Sequence, residues 1–219
     1  MSKQIPLVLW GASGHARVVA DIVRLRGEHE IAGFVDDRDP SRRGAPFCGA
    51  RVLGLAELVE LRRAGVLHLL VAVGDCAARL RLAERARRDG FTLAPAAVHP
   101  SAVVAEGVEL GAGSVVAAGA IVNPGVRIGE NVIVNTGASV DHECLLDDGV
   151  HVGPGARLGG CVTVGRAVWI GIGATVIDRI RIGADAQLGA GAVVVDDIPP
   201  GVLAYGVPAR VVRKLAADE

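Results

Sequence analysis

Between residues 98 and 198 an aliphatic side chain returns at every sixth position: Val98, Val104, Leu110, Val116, Val122, Ile128, Val134, Val140, Leu146, Val152, Leu158, Val164, Ile170, Val176, Ile182, Leu188 and Val194. Four residues after each stands a small or aliphatic residue, such as Ala102, Ser114, Ala120, Cys144 and Ile198. A period of six matches neither the roughly 3.6 residues of a helical turn nor the two-residue alternation of a flat strand. It suits a triangular prism in which each hexapeptide supplies one short strand and one corner, and three complete a coil of about 18 residues. The aliphatic position then points inward on every side. Corners turn sharply, and the residues directly after it, Gly111, Asn123, Gly129, Asn135, Gly153, Gly159, Gly165, Gly171, Gly183 and Gly189, are expected to supply left-handed backbone.

The rest of the chain leaves room for one more modest domain, with a boundary expected near residue 97 (1–97 and 98–219). Pro6 to Trp10 reads as a buried strand, Gly11-Ala12-Ser13-Gly14-His15 as a turn, and the run to about Arg26 as a helix with Val18, Val19, Ile22, Val23 and Leu25 on its apolar face. A strand over Ile31–Val35 ends in Asp36-Asp37, which makes one βαβ unit. Glycines at such a turn let backbone approach a phosphate, and an acid after the second strand accepts from a ribose hydroxyl. Only Gly11 and Gly14 match the three-glycine dinucleotide fingerprint, so the turn alone reads equally well as tight packing. A strand or loop over Cys48–Leu53, a helix over Leu55–Arg63, a strand over Leu67–Val73 ending in Gly74-Asp75, and a basic helix over Ala77–Arg88 complete this part. Arg79, Arg81, Arg85, Arg87 and Arg88 are expected on or beside the solvated side of that helix.

A formal charge of −1 with 21% charged residues does not suggest a nucleic-acid partner. Mean hydropathy is positive at +0.42, yet the uncharged run Leu110–Val126 is broken by Gly, Asn and Pro at corner spacing. A membrane span needs about 20 mainly apolar residues, so none is expected. Ile5–Trp10 is too short for a signal-peptide core. Cys48, Cys76, Cys144 and Cys161 lack pairwise metal-ligand spacing and read as reduced thiols of a cytoplasmic protein.

Chemistry concentrates at one corner. In Asn135-Thr136-Gly137-Ala138-Ser139-Val140-Asp141-His142-Glu143-Cys144, two acids flank a histidine where other corners carry Gly, Ala or Asn. An imidazole is the usual proton acceptor near neutral pH, and an adjacent carboxylate sets its tautomer. His151, nine residues on, is expected to point outward half a coil away. One prism cannot bring it to His142, so a site using both would span two subunits of a cyclic oligomer.

The Gly-x-Ser-Gly-His turn, Val73-Gly74-Asp75, His99-Pro100-Ser101-Ala102, the segment Asn135–Glu143 and the tail Tyr205-Gly206-Val207-Pro208-Ala209-Arg210 occur in this order. Together they resemble the bacterial nucleotide-linked amino-sugar N-acetyltransferases of the bacillosamine and perosamine type, related to the sialic-acid O-acetyltransferases, over essentially the whole chain. The resemblance implies an α/β N-terminal domain with a short Rossmann-like βαβ sheet, followed by a left-handed parallel β-helix. It also implies a cytoplasmic homotrimer that uses acetyl-CoA and no metal. It makes His142 the general base and Glu143 its orienting partner. Ser13, Gly14, His15, Asp36, Asp37, Arg38, Gly74 and Asp75 would hold the nucleotide sugar. Asn135, His151, Gly160, Gly171, Ile172, Gly173, Ala174, Gly206, Pro208 and Arg210 would border acetyl-CoA, with backbone N–H near Gly160 offered to the acetyl carbonyl. The long loop that interrupts many hexapeptide prisms is absent, which leaves acceptor recognition to the N-terminal domain. O-acetylation of a sialic acid or similar sugar is the nearest alternative. A metal-dependent hydratase of the γ-carbonic-anhydrase kind would need three converging histidines, whereas His99, His142 and His151 show no such spacing. A non-catalytic β-helix is the remaining reading.

Overall fold

The computed structural model describes residues 4–216. Strands β1 (Ile5–Trp10), β2 (His29–Val35), β3 (Pro46–Phe47), β4 (Ala50–Leu53), β5 (His68–Val71) and β6 (Thr92–Leu93) form one sheet in the order β3-β4-β2-β1-β5-β6. All neighbours are parallel except the β3–β4 pair. Helices α1 (Gly14–Arg26), α2 (Leu55–Arg63) and α3 (Cys76–Arg88) connect them. The central strand β1 is hydrophobic without alternation because both its faces are covered. Leu7 and Leu9 pack toward α1, while Val8 and Trp10 pack with Leu58, Ala83 and Ala86.

From Ala97 onward two-residue strands stack at intervals of 18 residues on three flat faces, forming a left-handed parallel β-helix. The first face carries Ile133–Val134, His151–Val152, Trp169–Ile170 and Gln187–Leu188; the second carries Ser139–Val140 and Arg157–Leu158; the third carries Leu145–Leu146 and Thr163–Val164. The aliphatic sixth positions from Val116 to Val194 form one buried column with the small residues four places later. The chain ends by adding Val202–Gly206 to the first face and folding Ala209–Lys214 back on it antiparallel.

The corner glycines correct the expectation about left-handed backbone. Positive φ falls three residues after the aliphatic position, at Gly113, Gly119, Gly125, Asn131, Gly137, Glu143, Gly149, Gly155 and Cys161, and not directly after it. The glycines directly after it answer a different demand. A Cβ on Gly111 would stand 2.4 Å from the carbonyl of Gly129 in the next coil, and one on Gly153 would stand 2.5 Å from the Ile170 carbonyl. The stacking distance between coils, rather than the turn, excludes a side chain there.

The basic helix corrects a second expectation. Arg79 is fully buried and not on the solvated side. Its guanidinium donates to the carbonyls of Gly74 (2.6 Å), Val73 (3.0 Å), Asn131 (2.7 Å) and Gly149 (2.7 Å), so one side chain ties the end of β5 to two corners of the prism. Periodicity placed it with its exposed neighbours because the surface that covers it lies more than fifty residues away in sequence.

Candidate active site

Two polar centres lie on the prism, half a coil apart. The first is the corner between the second and third faces. Asp141 Oδ1 accepts from the His142 N–H and from the Asn123 side-chain amide, both at 2.8 Å, and these bonds hold its carboxyl below the usual carboxylate range. Asp141 thereby braces the turn, and it is Glu143 that faces the ring. His142 Nδ1 lies 3.2 Å from Glu143 Oε2. A carboxylate only accepts, so Nδ1 carries a proton, and in the neutral ring Nε2 is then left with the lone pair. The ring is exposed, and it occupies the space above Gly160 in the next coil: a Cβ there would stand 2.6 Å from Cε1 and Nε2. The Gly160 N–H donates to Asp178 Oδ1 at 3.0 Å, so its use for an acetyl carbonyl requires that bond to be shared or released. Cys161 Sγ lies 3.7 Å from Glu143 Oε2, directly above it in the coil stack.

The second centre joins the prism to the N-terminal sheet. His151 is not the outward-facing surface residue expected from the repeat, nor one left open to a neighbouring subunit; the N-terminal part of its own chain buries it to 5% exposure. Its Nδ1–H donates to the Gly74 carbonyl (3.1 Å), Nε2 accepts from the Asn135 amide (3.0 Å), and its ring stands 4.3 Å from Trp169. Burial, reinforced by the Arg79 charge, lowers its pKa to about 4. His15, at the start of α1, is 6.4 Å away. Burial, His151 and Arg79 lower its pKa to about 3, and its buried Nε2 has no hydrogen-bond partner among the described residues. Both imidazoles are therefore neutral in ordinary buffers.

Around His15 the turn is open. Ser13 sits at the N-cap of α1 without a side-chain bond to it, and a Cβ on Gly14 or Gly74 would meet nothing within 4 Å. Gly11 is closed instead: its φ is +130° and a Cβ would stand 2.6 Å from the Ala72 carbonyl. A helix N-terminus with free N–H groups suits a phosphate. Asp36 already accepts from Arg42 (2.8 Å) and from the backbone N–H of Arg38 (3.1 Å), while Asp37 and the Arg38 side chain are exposed. Arg17 and Arg42 lie over the Phe47 ring. Asp75 caps α3 through the Ala78 N–H (2.7 Å), which is a structural task for an expected ligand residue. At the far end of the prism Ile172, Gly173, Gly206, Pro208 and Arg210 are exposed, while Gly171 and Ala174 are buried. Arg210 is 3.3 Å from Asp196.

The model of the PglD N-terminal domain matches residues 6–86. UDP-N-acetylbacillosamine N-acetyltransferase of Bacillus subtilis is 37% identical over 123 residues, which are 53% of this chain and 52% of that protein, so the match spans about half the length of this curated relative. PerB of Caulobacter crescentus, solved in complex with CoA and GDP-perosamine, is 44% identical with a TM-score of 0.89 over 95% of this chain and 97% of that one. The acetyltransferase domain of PglB from Neisseria gonorrhoeae, solved with acetyl coenzyme A, is 39% identical with a TM-score of 0.87 over 96% of this chain and 100% of that one. The chain belongs to the PglD-type nucleotide-sugar N-acetyltransferases.

Several residues that contact these two centres and the N-terminal turn escaped the sequence. Trp169 falls at an ordinary outward position of the repeat, Arg42 ends the short 3-10 turn Pro40–Arg42, and Asp178 acts on Gly160 from one coil away. Trp169 and Asp178 share one signal, the 18-residue spacing: Trp169 follows His151 by one coil, and Asp178 follows Gly160 by one coil; Arg42 has none.

Proposed function

We propose that this protein transfers acetyl from acetyl-CoA to the 4-amino group of a nucleotide-activated 4-amino-deoxy sugar, UDP-, GDP- or dTDP-linked, in bacterial glycan biosynthesis. The observation that carries this is the His142–Glu143 pair, which presents a basic Nε2 at a solvent-open corner of a hexapeptide prism. Family membership supplies the acyl donor and the class of acceptor. In this reading Nε2 takes a proton from the amine as it attacks the thioester carbonyl, and the imidazolium that forms is stabilised by Glu143. Backbone N–H donors, with Gly160 the nearest candidate, stabilise the developing oxyanion. No step needs a metal.

The two parts of the chain divide the work near residue 97. The open turn Ser13–His15, with Asp36, Asp37, Arg38 and the Gly74-Asp75 strand end, binds the nucleotide sugar, and the unpartnered Nε2 of His15 accepts from a hydroxyl of that ligand. Asn135 and His151 at the junction, and Gly171–Ala174 with Gly206, Pro208 and Arg210 farther along, line the coenzyme groove. The working form is a cytoplasmic homotrimer. Apolar side chains left exposed on one chain, Ile121 and Leu145 on the prism and Ile172 and Val207 toward its end, support subunit contact. No helix of the described residues is long and apolar enough to cross a membrane. Incubating the purified protein with acetyl-CoA and a panel of UDP-, GDP- and dTDP-linked 4-amino sugars, with thiol release and product mass as readouts, tests the proposal. Thiol release dependent on one amino sugar is the expected result. Transfer to a sialic acid in place of every amino sugar would overturn it.

A further inference from the structure

The catalytic corner holds a third potential ligand that the acetyl-transfer reading leaves without a task. Glu143 and Cys161 occupy the same corner position in successive coils, both with left-handed backbone (φ of 58° and 57°), where many other corners carry glycine. This stacks the Cys161 thiol on the Glu143 carboxylate beside the His142 ring. His142 Nδ1 is 3.2 Å from Glu143 Oε2, Cys161 Sγ is 3.7 Å from the same oxygen, and one ligand atom from each of the three residues lies within 4.8 Å of the others.

Zinc bound at about 2.0–2.1 Å to nitrogen, 2.0–2.2 Å to oxygen and 2.3 Å to sulfur, at tetrahedral angles, sets N···O and S···O separations of roughly 3.4 and 3.6 Å. Two of the three edges of such a site are already present, and small side-chain rotations at an exposed corner bring in the third. We propose that His142, Glu143 and Cys161 form an inhibitory site for a thiophilic divalent cation of the Zn2+ class, with the fourth position open to water.

The effect on catalysis follows from the tautomer, and in this it rests on the acetyl-transfer reading above. With no metal, the Nδ1 proton is held by Glu143 and Nε2 has the lone pair. A cation takes the Nδ1 lone pair, so the imidazole proton moves to Nε2, which becomes a donor and loses its capacity as a base. The Cys161 thiol gives up its proton to solvent as it becomes a thiolate ligand, so one proton is released per ion bound.

The test uses full-length protein without a polyhistidine tag. Zn2+ binding is followed by calorimetry, and, separately, acetyl transfer is followed by mass spectrometry with graded Zn2+ and with subsequent EDTA. Cys161→Ser is the decisive variant, since Cys161 has no part in the catalytic machinery and Cys48, Cys76 and Cys144 remain. We expect one ion per subunit, inhibition reversed by EDTA, and, in Cys161→Ser, basal turnover within a few-fold of wild type with at least tenfold weaker Zn2+ binding and inhibition. Equal Zn2+ affinity in the two proteins, or no binding by the wild type, overturns the site. Cys161-dependent binding in a protein that acetylates no amino sugar upholds the site and overturns the catalytic reading instead.

Discussion

The His142 ring occupies the space that any side chain at Gly160 would need, with 2.6 Å between the ring and the position of a Cβ. The imidazole is thus seated by an absence eighteen residues further along the chain. Gly160 is outside the left-handed region, so alanine is compatible with its backbone and the clash falls on the ring alone. We expect Gly160→Ala to lower kcat by about 10- to 100-fold, because a displacement near 1 Å at the reacting centre costs on that order. The KM for acetyl-CoA and the melting temperature should change little; equal loss of both would point to a general packing defect.

Removing the proposed base itself should cost more. His142→Ala is expected to reduce kcat by about 10² to 10⁴ while acetyl-CoA binding, followed by calorimetry, persists. A fall of only a few-fold would show that the amine attacks without help and that His142 merely positions it.

His15→Ala removes an imidazole whose Nε2 is buried without a partner among the described residues. It should raise the KM for the nucleotide sugar by about 5- to 12-fold and leave that for acetyl-CoA nearly unchanged, since loss of one hydrogen bond to a ligand costs about 1–1.5 kcal/mol. Steady-state kinetics with each substrate varied in turn would check this.

Arg79 carries the junction between the two parts of the chain. In Arg79→Met the buried carbonyls of Asn131 and Gly149 lose this donor and Gly74 keeps only His151, and the expected loss of stability is about 3–5 kcal/mol, read from urea unfolding. Because Gly74 also accepts from His151, the variant should raise the KM for the nucleotide sugar even at temperatures where it remains folded.

Acid should destabilise the fold through two neutral histidines. His15 and His151 have folded-state pKa values of about 3 and about 4, against 6.5 for the ordinary imidazole. Below pH 6.5 the unfolded chain binds protons that the native chain refuses, so their contribution is fully present above 6.5 and is lost as pH falls toward 4 and 3. Each can add a slope of up to about 1.4 kcal/mol per pH unit in that window. Urea midpoints measured between pH 7 and 5 should fall, and His151→Gln should make the fall shallower.

The sequence by itself determined the prism, its column of Val, Ile and Leu, the βαβ start and the His142–Glu143 corner. These are periodic or local features: a hexad reports which side chains point inward, and adjacent residues at one corner meet whatever surrounds them. What only the tertiary structure decided are contacts between segments distant in sequence. The repeat marked His151 as outward, which is true of the prism alone, but the N-terminal sheet then buries it against Gly74. Arg79 has the spacing of a solvated face and ends among carbonyls of two corners that are 52 and 70 residues away. The glycines directly after the aliphatic column lose their expected left-handed role to positions two residues later for the same reason. Sequence shows where glycine occurs, but whether it serves a positive φ or a neighbouring coil's carbonyl depends on how closely the coils stack.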